Sequence, residues 1–450
     1  MEEITPKKND ARVLNAWASY DWANSVYNLT ITVAIFPIFF DTATRLAFGG
    51  HYEGDRIVGG EIITFLGIEF IPSILYAYAI GFSFLVAAIL SPLLSGIADY
   101  GGKKKLMMKF FTYLGSLACF GLFFFHGGNV EWGILCSVVA SIGYSGAVVF
   151  YVSYLPEIAT DDRLDSVSAK GFSMGFLGSV LQLLLSLVVI FNAPALGLDA
   201  GLATRLSFLF VAIWWVGFAQ IAFYYLPQNP HHRHPEGNLF VKGFAELKKV
   251  YRQIGQLPNL RRFLFAFFFY SMGAQSIFLL ASLFGEKMLH LPSYKLIGTI
   301  LLLQLVGIGG AYFFAAISGR KGNKNTLIGM LIGWFFICAL GYFIANEYHF
   351  YAMAGFFGFV MGGYHLSRST YAKLIPEETE DTASFFSFYD VTEKLATALG
   401  PVSYGFIEYL TKDMRNSLVA LGTYFIIGLV ILWGVRIPRG EIQTETPTTS

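Results

Sequence analysis

The stretch from residue 362 to residue 401 reads GGYHLSRSTYAKLIPEETEDTASFFSFYDVTEKLATALGP, and it decides how the rest of the chain is interpreted. Two apolar segments flank its acidic centre; the first contains Arg368, and the second contains Asp390, Glu393 and Lys394. In a helix of 3.6 residues per turn, the last three side chains fall within about 100° of one face. Ionised groups inside a bilayer are costly unless they are paired or hydrated, so this face predicts a protein interior or a water-filled cavity.

The charges of the second segment allow two interpretations. Asp390 and Lys394 stand in the favourable order of an acid followed four residues later by a base, so they can form a structural ion pair that locks helices together. The same charges can instead line a ligand path or form a gate. The spacing is compatible with both interpretations, and both stay open at this point.

The composition is that of a membrane protein. The chain has 450 residues, of which 55% are hydrophobic and 14% charged, and its mean hydropathy is +0.56. Apolar runs of about 20 residues, the length that crosses a bilayer as a helix, recur from end to end. We expect an all-α polytopic membrane protein with twelve transmembrane helices, near residues 14–40, 72–98, 105–126, 131–155, 170–192, 205–226, 262–285, 294–318, 325–345, 350–374, 385–410 and 416–435.

No feature of the sequence predicts a nucleic-acid, metal or cofactor partner. The net charge is +1 and no basic stripe is present, which argues against nucleic acid. His231, His232 and His234 lie in a polar connection without acidic or Cys partners at metal-binding spacing, so we interpret them as solvated. The sequence has no Walker-type phosphate loop and no nucleophile–base pair, so we expect neither direct ATP use nor an enzyme with catalytic residues.

An internal repeat divides the chain. SGIADYGGKKK after the second span has a weaker echo, AISGRKGNK, after the eighth, and YLPEIATDD after the fourth has the echo LIPEETED after the tenth. Gly102 aligns with Gly322 and Pro156 with Pro376, both at an offset of 220 residues. Two matches at one offset predict two pseudo-symmetric six-helix bundles, as in many transporters. The expected units are an N-terminal bundle, a cytoplasmic linker, and a C-terminal bundle with a short tail, at residues 1–226, 227–261 and 262–450.

The linker is predicted to contain an amphipathic helix. Its apolar side chains can share one face, and lysines and an arginine lie largely around them. This pattern suits a helix on the inner membrane surface. The apolar residues are Phe240, Phe244, Leu247, Tyr251 and Ile254.

The distribution of Lys and Arg predicts the orientation. With the N-terminus inside, 22 of the 31 basic residues lie on the cytoplasmic side and 7 on the other, while Arg368 and Lys394 fall within spans. The positive-inside rule then places both termini in the cytoplasm.

The first span, WASYDWANSVYNLTITVAIF, carries a polar stripe. Asp21, Asn24 and Asn28 fall on one face at helical spacing. Packing through hydrogen bonds explains the asparagines as well as contact with a ligand does. Asp21 is different, because a carboxylate about 10 Å into the span must either take up a proton or meet a cation. Since Arg368 and Lys394 are expected at a comparable depth, these charges predict a cross-half gate or a site for an ionic substrate.

A motif after the second span resembles the major facilitator superfamily. It runs from Ser95 through Asp99 and Gly102 to Lys103 and Lys104. The resemblance implies that the acid and the basic residues help to close the cytoplasmic face. Asp99 is then expected near the start of the eleventh span, because a carboxylate is favoured at a helix N-terminus. Ser95 stands where that superfamily usually has Gly.

Longer motifs are similar to a more specific family, which contains the fungal autophagy-related vacuolar amino-acid effluxers and bacterial members. The motifs are YDWANSVYN, FYVSYLPEI, KGFSMGFLGS, SRSTYAKLIP and FFSFYDVTEKLATALGP, in spans one, four, five, ten and eleven. Val152 stands where that family has Asn, and Tyr364 where it has Gln, so substrate contacts can differ. The resemblance implies the major facilitator fold and alternating access by two six-helix halves.

The sequence therefore predicts a monomeric secondary transporter in the bilayer of a bacterial inner membrane. Its expected cargo is a small polar or zwitterionic, amino-acid-like solute, and a proton is the default coupling ion. A lipid or other amphipathic cargo is the alternative, and a non-transporting receptor or intramembrane enzyme is a remote one. The residues expected on the substrate or proton path are Asp21, Asn24, Asn28, Arg368, Asp390, Glu393 and Lys394; those expected at the cytoplasmic gate are Asp99, Gly102, Lys103 and Lys104.

Overall fold

The computed structural model describes residues 8–53, 56–228, 239–289, 291, 293–411 and 414–437. Helices dominate these residues. They are α1 (Ala11–Tyr27), a π-helical segment (Asn28–Ala34), α2 (Phe36–Ala47), α3 (Pro72–Gly101), α4 (Lys104–Leu122), α5 (Val130–Ser153), α6 (Leu155–Ile158), α7 (Leu164–Phe191), α8 (Ala200–Tyr225), α9 (Leu239–Gln256), α10 (Pro258–Leu289), α11 (Ser293–Lys321), α12 (Asn323–Gly341), α13 (Glu347–Gly362), α14 (His365–Leu374), α15 (Thr382–Thr411) and α16 (Met414–Trp433).

Within the described residues, each of the twelve predicted spans contains one helix or two consecutive helices. Seven described helices are long and apolar enough to cross a membrane on length and composition alone, and an eighth follows if the bent first pair counts as one span. The other predicted spans are α4, α10, α13 with α14, and α15. Of these, α4, α14 and α15 carry buried charges, for example Lys104, Arg368 and Asp390.

The helices form two bundles. In the first, α1 packs against α7 and α8, and α4 packs against α5 and α8. In the second, α11 packs against α13, and α16 packs against α10 and α12. The bundles meet where α7 contacts α11 and α14 and where α3 and α5 contact α15. Functional residues on α1, α7, α14 and α15 therefore lie close to the junction between the halves.

The first span is not the single helix that the sequence predicts. Helix α1 passes into the π-helical segment, and the axis then bends by 43° into α2. Pro37, in the first turn of α2, has no N–H to donate to the preceding turn. The Tyr76 hydroxyl of α3 donates to the Ile31 carbonyl at 3.1 Å, so a side chain supports the backbone where the regular helix stops.

The tenth span is also interrupted, which the sequence did not predict. Helix α13 ends at Gly362, and α14 begins at His365. Tight turns join them: the Tyr364 N–H donates to the Met361 carbonyl at 2.9 Å, and the Ser367 N–H donates to the Tyr364 carbonyl at 3.0 Å. Among the described residues, each half thus has a broken helix beside the junction, α1–α2 in the first and α13–α14 in the second. Broken spans commonly surround the binding site of a transporter.

Helix α9 packs on the protein as well as exposing an apolar surface. Gly243 approaches α3 so closely that a Cβ on Gly96 would lie 2.3 Å from the Gly243 carbonyl oxygen. Ile254 is buried, whereas Phe244 and Tyr251 are exposed. The apolar face predicted for α9 is therefore divided between two sides of the helix. One side packs on α3, and Phe244 and Tyr251 lie on another side, where they are exposed.

Two short hairpins, absent from the sequence analysis, lie between α2 and α3. Strand β1 (His51–Glu53) pairs antiparallel with β2 (Arg56–Val58), and β3 (Ile63–Phe65) pairs antiparallel with β4 (Ile68–Phe70). The predicted histidines His231, His232 and His234 and the C-terminal tail after residue 437 lie outside the described residues.

Candidate functional site

One end of the molecule carries most of the charged contacts between the halves. There α3, α11 and α14 end, and α4, α7, α12 and α15 begin. We call it the basic end; the hairpins lie at the opposite end. Gly102 and Gly322, the aligned glycines of the repeat, both have positive φ at the turns from α3 to α4 and from α11 to α12, at 59° and 81°. This backbone conformation suits glycine and explains its presence at both turns.

A first group of residues at the basic end joins α3 to the start of α15. The Asp99 carboxylate accepts hydrogen bonds from the backbone N–H groups of Ala383 at 3.2 Å and Ser384 at 2.6 Å. Such N–H groups have no partner within their own helix, and the positive end of the helix dipole favours an anion. The contact expected between Asp99 and the eleventh span is present in the structure, and its role as a gate is a proposal.

Lys104 extends this contact. Its ammonium donates to the Glu157 carboxylate and, at 2.6 Å, to the Thr382 hydroxyl. The Thr382 hydroxyl in turn donates to Glu157 at 2.5 Å. Here the ion pair lies within the first half, and neutral Thr382 supplies the link to the second. Asp99, Lys104, Glu157 and Thr382 are the first cross-half cluster.

A second group at the basic end was missed by the sequence analysis. Asp165 in the first turn of α7 accepts from the Lys373 ammonium of α14 at 2.8 Å. It also accepts from the Ser318 hydroxyl and the Asn323 amide, both at 2.7 Å. All four side chains lie at or near the junction between the halves, and this ion pair crosses it. Asp165, Lys373, Ser318 and Asn323 are the second cross-half cluster.

The repeat contained a signal for the second cluster. Asn323 begins α12 as Lys104 begins α4, and α7 begins after the fourth span as α15 begins after the tenth. The starts of these helices therefore correspond between the halves. The cluster residues do not, because at the offset of 220 residues Asn323 aligns with Lys103 and Lys104 aligns with Lys324, so a search for repeated charges does not find the second cluster.

Deeper in the molecule, Asp21 and Arg368 meet across the halves. Their carboxylate oxygen and guanidinium nitrogen are 3.4 Å apart. The Tyr151 hydroxyl donates to the same carboxylate oxygen at 2.7 Å. The Arg368 guanidinium also donates to the hydroxyl and the carbonyl of Ser168, both at 3.0 Å. The structure thus brings together two charged residues that the sequence placed at one depth.

Aromatic rings and glycines surround the Asp21–Arg368 pair. We call the pair and these neighbours the Asp21–Arg368 layer. Arg368 lies over the rings of Trp17 and Tyr151, with centroids 4.8 Å and 5.7 Å from its central carbon. The two rings stack on each other. Because a Cβ on Gly171 would lie 2.7 Å from an Asp21 carboxylate oxygen, glycine at this position lets α7 approach α1. The close packing is as expected from small residues in KGFSMGFLGS. An acid, a fixed base and aromatic faces can together hold a zwitterion.

The charged residues of α15 do not all join that layer. Lys394 pairs with Asp390 of the same helix, and both are buried. Glu393 instead accepts hydrogen bonds from the Tyr364 hydroxyl at 3.0 Å and the Gln275 amide at 3.3 Å. Of the two cations expected at the depth of Asp21, Arg368 is the one that pairs with it, whereas Lys394 does not. The Asp390–Lys394 pair lies within one helix and does not itself connect two helices.

Asn24 and Asn28, predicted on the polar stripe, lie one and two turns from Asp21. Asn24 is buried; its side-chain oxygen accepts from the Ser25 hydroxyl at 3.4 Å, and its amide nitrogen has no hydrogen-bond partner among the described residues. Asn28 begins the π-helical segment and is partly exposed. Neither residue contacts the second half through a hydrogen bond in the described part of the chain.

Comparison with known proteins finds relatives that match almost the whole chain. A family model described as "Vacuole effluxer Atg22 like" matches residues 9–445. The MFS-type transporter YxiO of Bacillus subtilis is 30% identical over 428 residues, 93% of each protein. Autophagy-related protein 22 of Kluyveromyces lactis is 24% identical over 499 residues, 99% of each protein.

Solved structures share the fold. The human organic anion transporter MFSD10 (TETRAN) has a TM-score of 0.72 at 13% identity, covering 95% of this chain and all of that one. The major facilitator transporter FucP, in the outward conformation, has a TM-score of 0.69 at 10% identity, covering 96% and 99%. At such identities the likeness concerns the fold alone. YxiO, MFSD10 and FucP are named as transporters, in agreement with the expectation of a protein that is not an enzyme.

Proposed function

Because the chain belongs to the Atg22-like vacuole effluxer family and has the major facilitator fold, we propose that this membrane transporter carries a small polar or zwitterionic, amino-acid-like solute. The observation that carries the proposal is the Asp21–Arg368 pair between the halves. The solute's ammonium group replaces Arg368 beside Asp21 and the Trp17 ring, and its carboxylate binds the Arg368 guanidinium.

Alternating access follows from the position of this layer. Both cross-half clusters lie at the basic end, beside the Asp21–Arg368 layer. Solute therefore leaves on that side only when both clusters separate. The charge distribution supports a cytoplasmic basic end with both termini inside. The proposed location is a bacterial inner membrane; the family description of a vacuole effluxer makes a vacuolar membrane the alternative. The protein is proposed to act as a monomer coupled to protons.

Counterflow in proteoliposomes tests the solute class. Proteoliposomes that contain the purified protein are loaded with unlabelled L-amino acids. A pool of labelled L-amino acids is then added outside. Amines without a carboxylate and N-acetylated amino acids serve as competitors, and protein-free vesicles are the control. We expect exchange of zwitterions, with each one-charge analogue weaker by about tenfold or more, since a hydrogen bond to a charged group contributes about 1.5–3 kcal/mol. Equal competition by the one-charge analogues contradicts the proposal.

An amphipathic solute is the second candidate. The second half contains a cavity of about 80 Å³ whose lining is mostly apolar and includes Ile277, Phe284, Leu303 and Phe357, with Val33 of the broken first span. An acyl chain fits such a lining better than a polar group does. Counterflow of a labelled lysophospholipid, without exchange of amino acids, supports this candidate and overturns the first.

A further inference from the structure

The charged side chains in the interior of the helices do not balance. Among the described residues near the junction of the halves, Asp21 pairs with Arg368, and Asp390 pairs with Lys394. Among the described residues, Glu393 has no basic nitrogen within 4.0 Å. If all five side chains are ionised, the region carries one net negative charge. A charge without a partner in a low-dielectric interior is unfavourable unless water hydrates it or a proton neutralises it.

The surroundings of Glu393 form a cradle of neutral hydrogen-bond donors. The Tyr364 hydroxyl and the Gln275 amide contact its carboxylate. Tyr364 is itself within 2.8 Å of the Ser271 hydroxyl, and either oxygen can donate. The side chains therefore come from α10, from the break before α14 and from α15. The titratable and charged groups around Glu393 are Tyr144, Tyr270, Tyr364, Arg368, Tyr389, Asp390 and Lys394.

We propose that Glu393 is the proton-binding residue of this transporter and that its protonated form is the one in which the solute-loaded halves rearrange. The assignment rests on the proposed transport function and deepens it. Asp21 and Asp390 each have a cation beside them, whereas Glu393 has amide and hydroxyl groups. With a proton on Glu393 the charges of the region sum to zero, and a zwitterion leaves that sum unchanged.

The cradle can serve both protonation states. The ionised carboxylate accepts from Tyr364 and Gln275. The protonated acid has a hydroxyl that can donate to the amide oxygen of Gln275 once the amide turns over, and its carbonyl oxygen still accepts from Tyr364. One proton is taken from water together with the solute at the open side, and both are released at the other. The empty transporter then returns with Glu393 ionised, and no bond of the solute changes. Each cycle then moves one positive charge together with a neutral zwitterion.

Carbodiimide labelling tests the assignment without knowledge of the solute. Dicyclohexylcarbodiimide reacts with protonated carboxyl groups in apolar surroundings, and mass spectrometry locates the product. Wild-type protein in proteoliposomes is treated in mildly acidic and in alkaline buffer. We expect labelling at Glu393 that falls in alkaline buffer, with Asp21 and Asp390 as unlabelled internal controls. Labelling at either of those residues instead, or at none of the three, overturns the assignment.

Glu393→Gln supplies the transport test, because glutamine has the shape of the protonated acid and cannot release a proton. With the labelled L-amino-acid pool, we expect counterflow to continue while accumulation driven by a pH gradient falls to the level without a gradient. Glu131→Gln, which changes an exposed carboxylate at the opposite end, is the matched control and should retain both activities.

The two tests separate the two proposals. If wild-type protein exchanges no amino acid, the proposed solute class fails, and the carbodiimide result alone decides the role of Glu393. If Glu393→Gln still accumulates amino acids in response to a pH gradient, the assignment of the proton fails, and the proposed transport function stands.

Discussion

The two cross-half clusters close the same end of the molecule by different chemistry. In the first cluster the charged pair, Lys104 with Glu157, lies within one half, and the contacts across the junction go to backbone N–H groups and to neutral Thr382. In the second cluster the ion pair of Asp165 with Lys373 itself crosses the junction. Among the described contacts, opening the basic end therefore separates the ion pair of the second cluster, whereas the Lys104–Glu157 pair of the first cluster stays within one half.

This difference predicts unequal contributions to the closed state. Removing one partner of a buried ion pair costs about 3–5 kcal/mol when the other charge stays buried. Removing a helix cap costs about 1 kcal/mol. Water that enters when the basic end opens reduces both free-energy costs. The loss of the ion pair should still cost more than the loss of the helix cap. The second cluster, which the sequence analysis missed, is expected to hold the basic end closed more strongly than the motif that resembles the superfamily gate.

Lys373→Met should have the largest effect. It leaves the Asp165 carboxylate without its cation, so the open state, in which water hydrates that carboxylate, becomes favoured. The reporter is Ser387→Cys, a buried position whose hydroxyl donates to the Ser384 carbonyl of its own helix, in protein whose native cysteines are replaced. A charged thiol reagent should label it at least about tenfold faster, corresponding to about 1.4 kcal/mol.

Lys373→Arg is the matched control, since it keeps the charge, and should label more slowly than Lys373→Met. If both variants label at the wild-type rate, the ion pair does not hold the basic end closed.

Asp99→Asn should have an intermediate effect on the same reporter. The amide oxygen can still accept one backbone N–H, but the interaction between a full negative charge and the start of α15 is lost. A few-fold increase in labelling is expected, smaller than for Lys373→Met. A larger increase than for Lys373→Met would reverse the ranking of the clusters and point to Asp99 as the main closing residue.

Lys249→Ala should have the smallest effect. Lys249 of α9 donates to Asp381 at 2.8 Å and to Glu246 at 2.6 Å, but half of its side chain is exposed. Burial lowers the pKa of Lys249, while hydrogen bonds to Asp381 and Glu246 outweigh it, so the pKa is raised. The contact is therefore present at neutral pH and is lost only as pH rises through that raised pKa. Labelling should change by less than about fivefold, as for an exposed pair of at most about 1 kcal/mol.

High salt should abolish the effect of Lys249→Ala, because salt screens exposed charges. An increase that persists in high salt means that α9 closes the basic end by packing on α3 rather than through its lysine.

The sequence predicted the parts of this structure that depend on local pattern. Apolar runs located the long helices, and helical spacing with chain direction placed Asp21 and Arg368 at one depth. The resemblance to the superfamily motif located the contact of Asp99 with the start of α15. Each of these depends on residues whose type alone restricts where they can lie, such as a charge inside a membrane.

The rest depended on tertiary contacts. At the bend between the π-helical segment and α2, Pro37 acts together with the hydroxyl that Tyr76 supplies from another helix. The break at Gly363 and Tyr364 lies in an apolar stretch with no proline. Asp165 stands at the start of a span, where a carboxylate is ordinary on a helix N-terminus, and only the fold shows that Lys373 reaches it.

Paired distance measurements test alternating access around the Asp21–Arg368 layer most directly. Spin labels at Ser166 and Asn325 report the basic end, and labels at Asn192 and Tyr348 report the opposite end; all four positions are exposed. We predict two populations in membranes. In one the basic-end distance is long and the opposite-end distance is short, and in the other the reverse holds. In Lys373→Met the population with the long basic-end distance should increase. A basic-end distance that stays single and short in Lys373→Met, or two distances that lengthen together, would contradict the account.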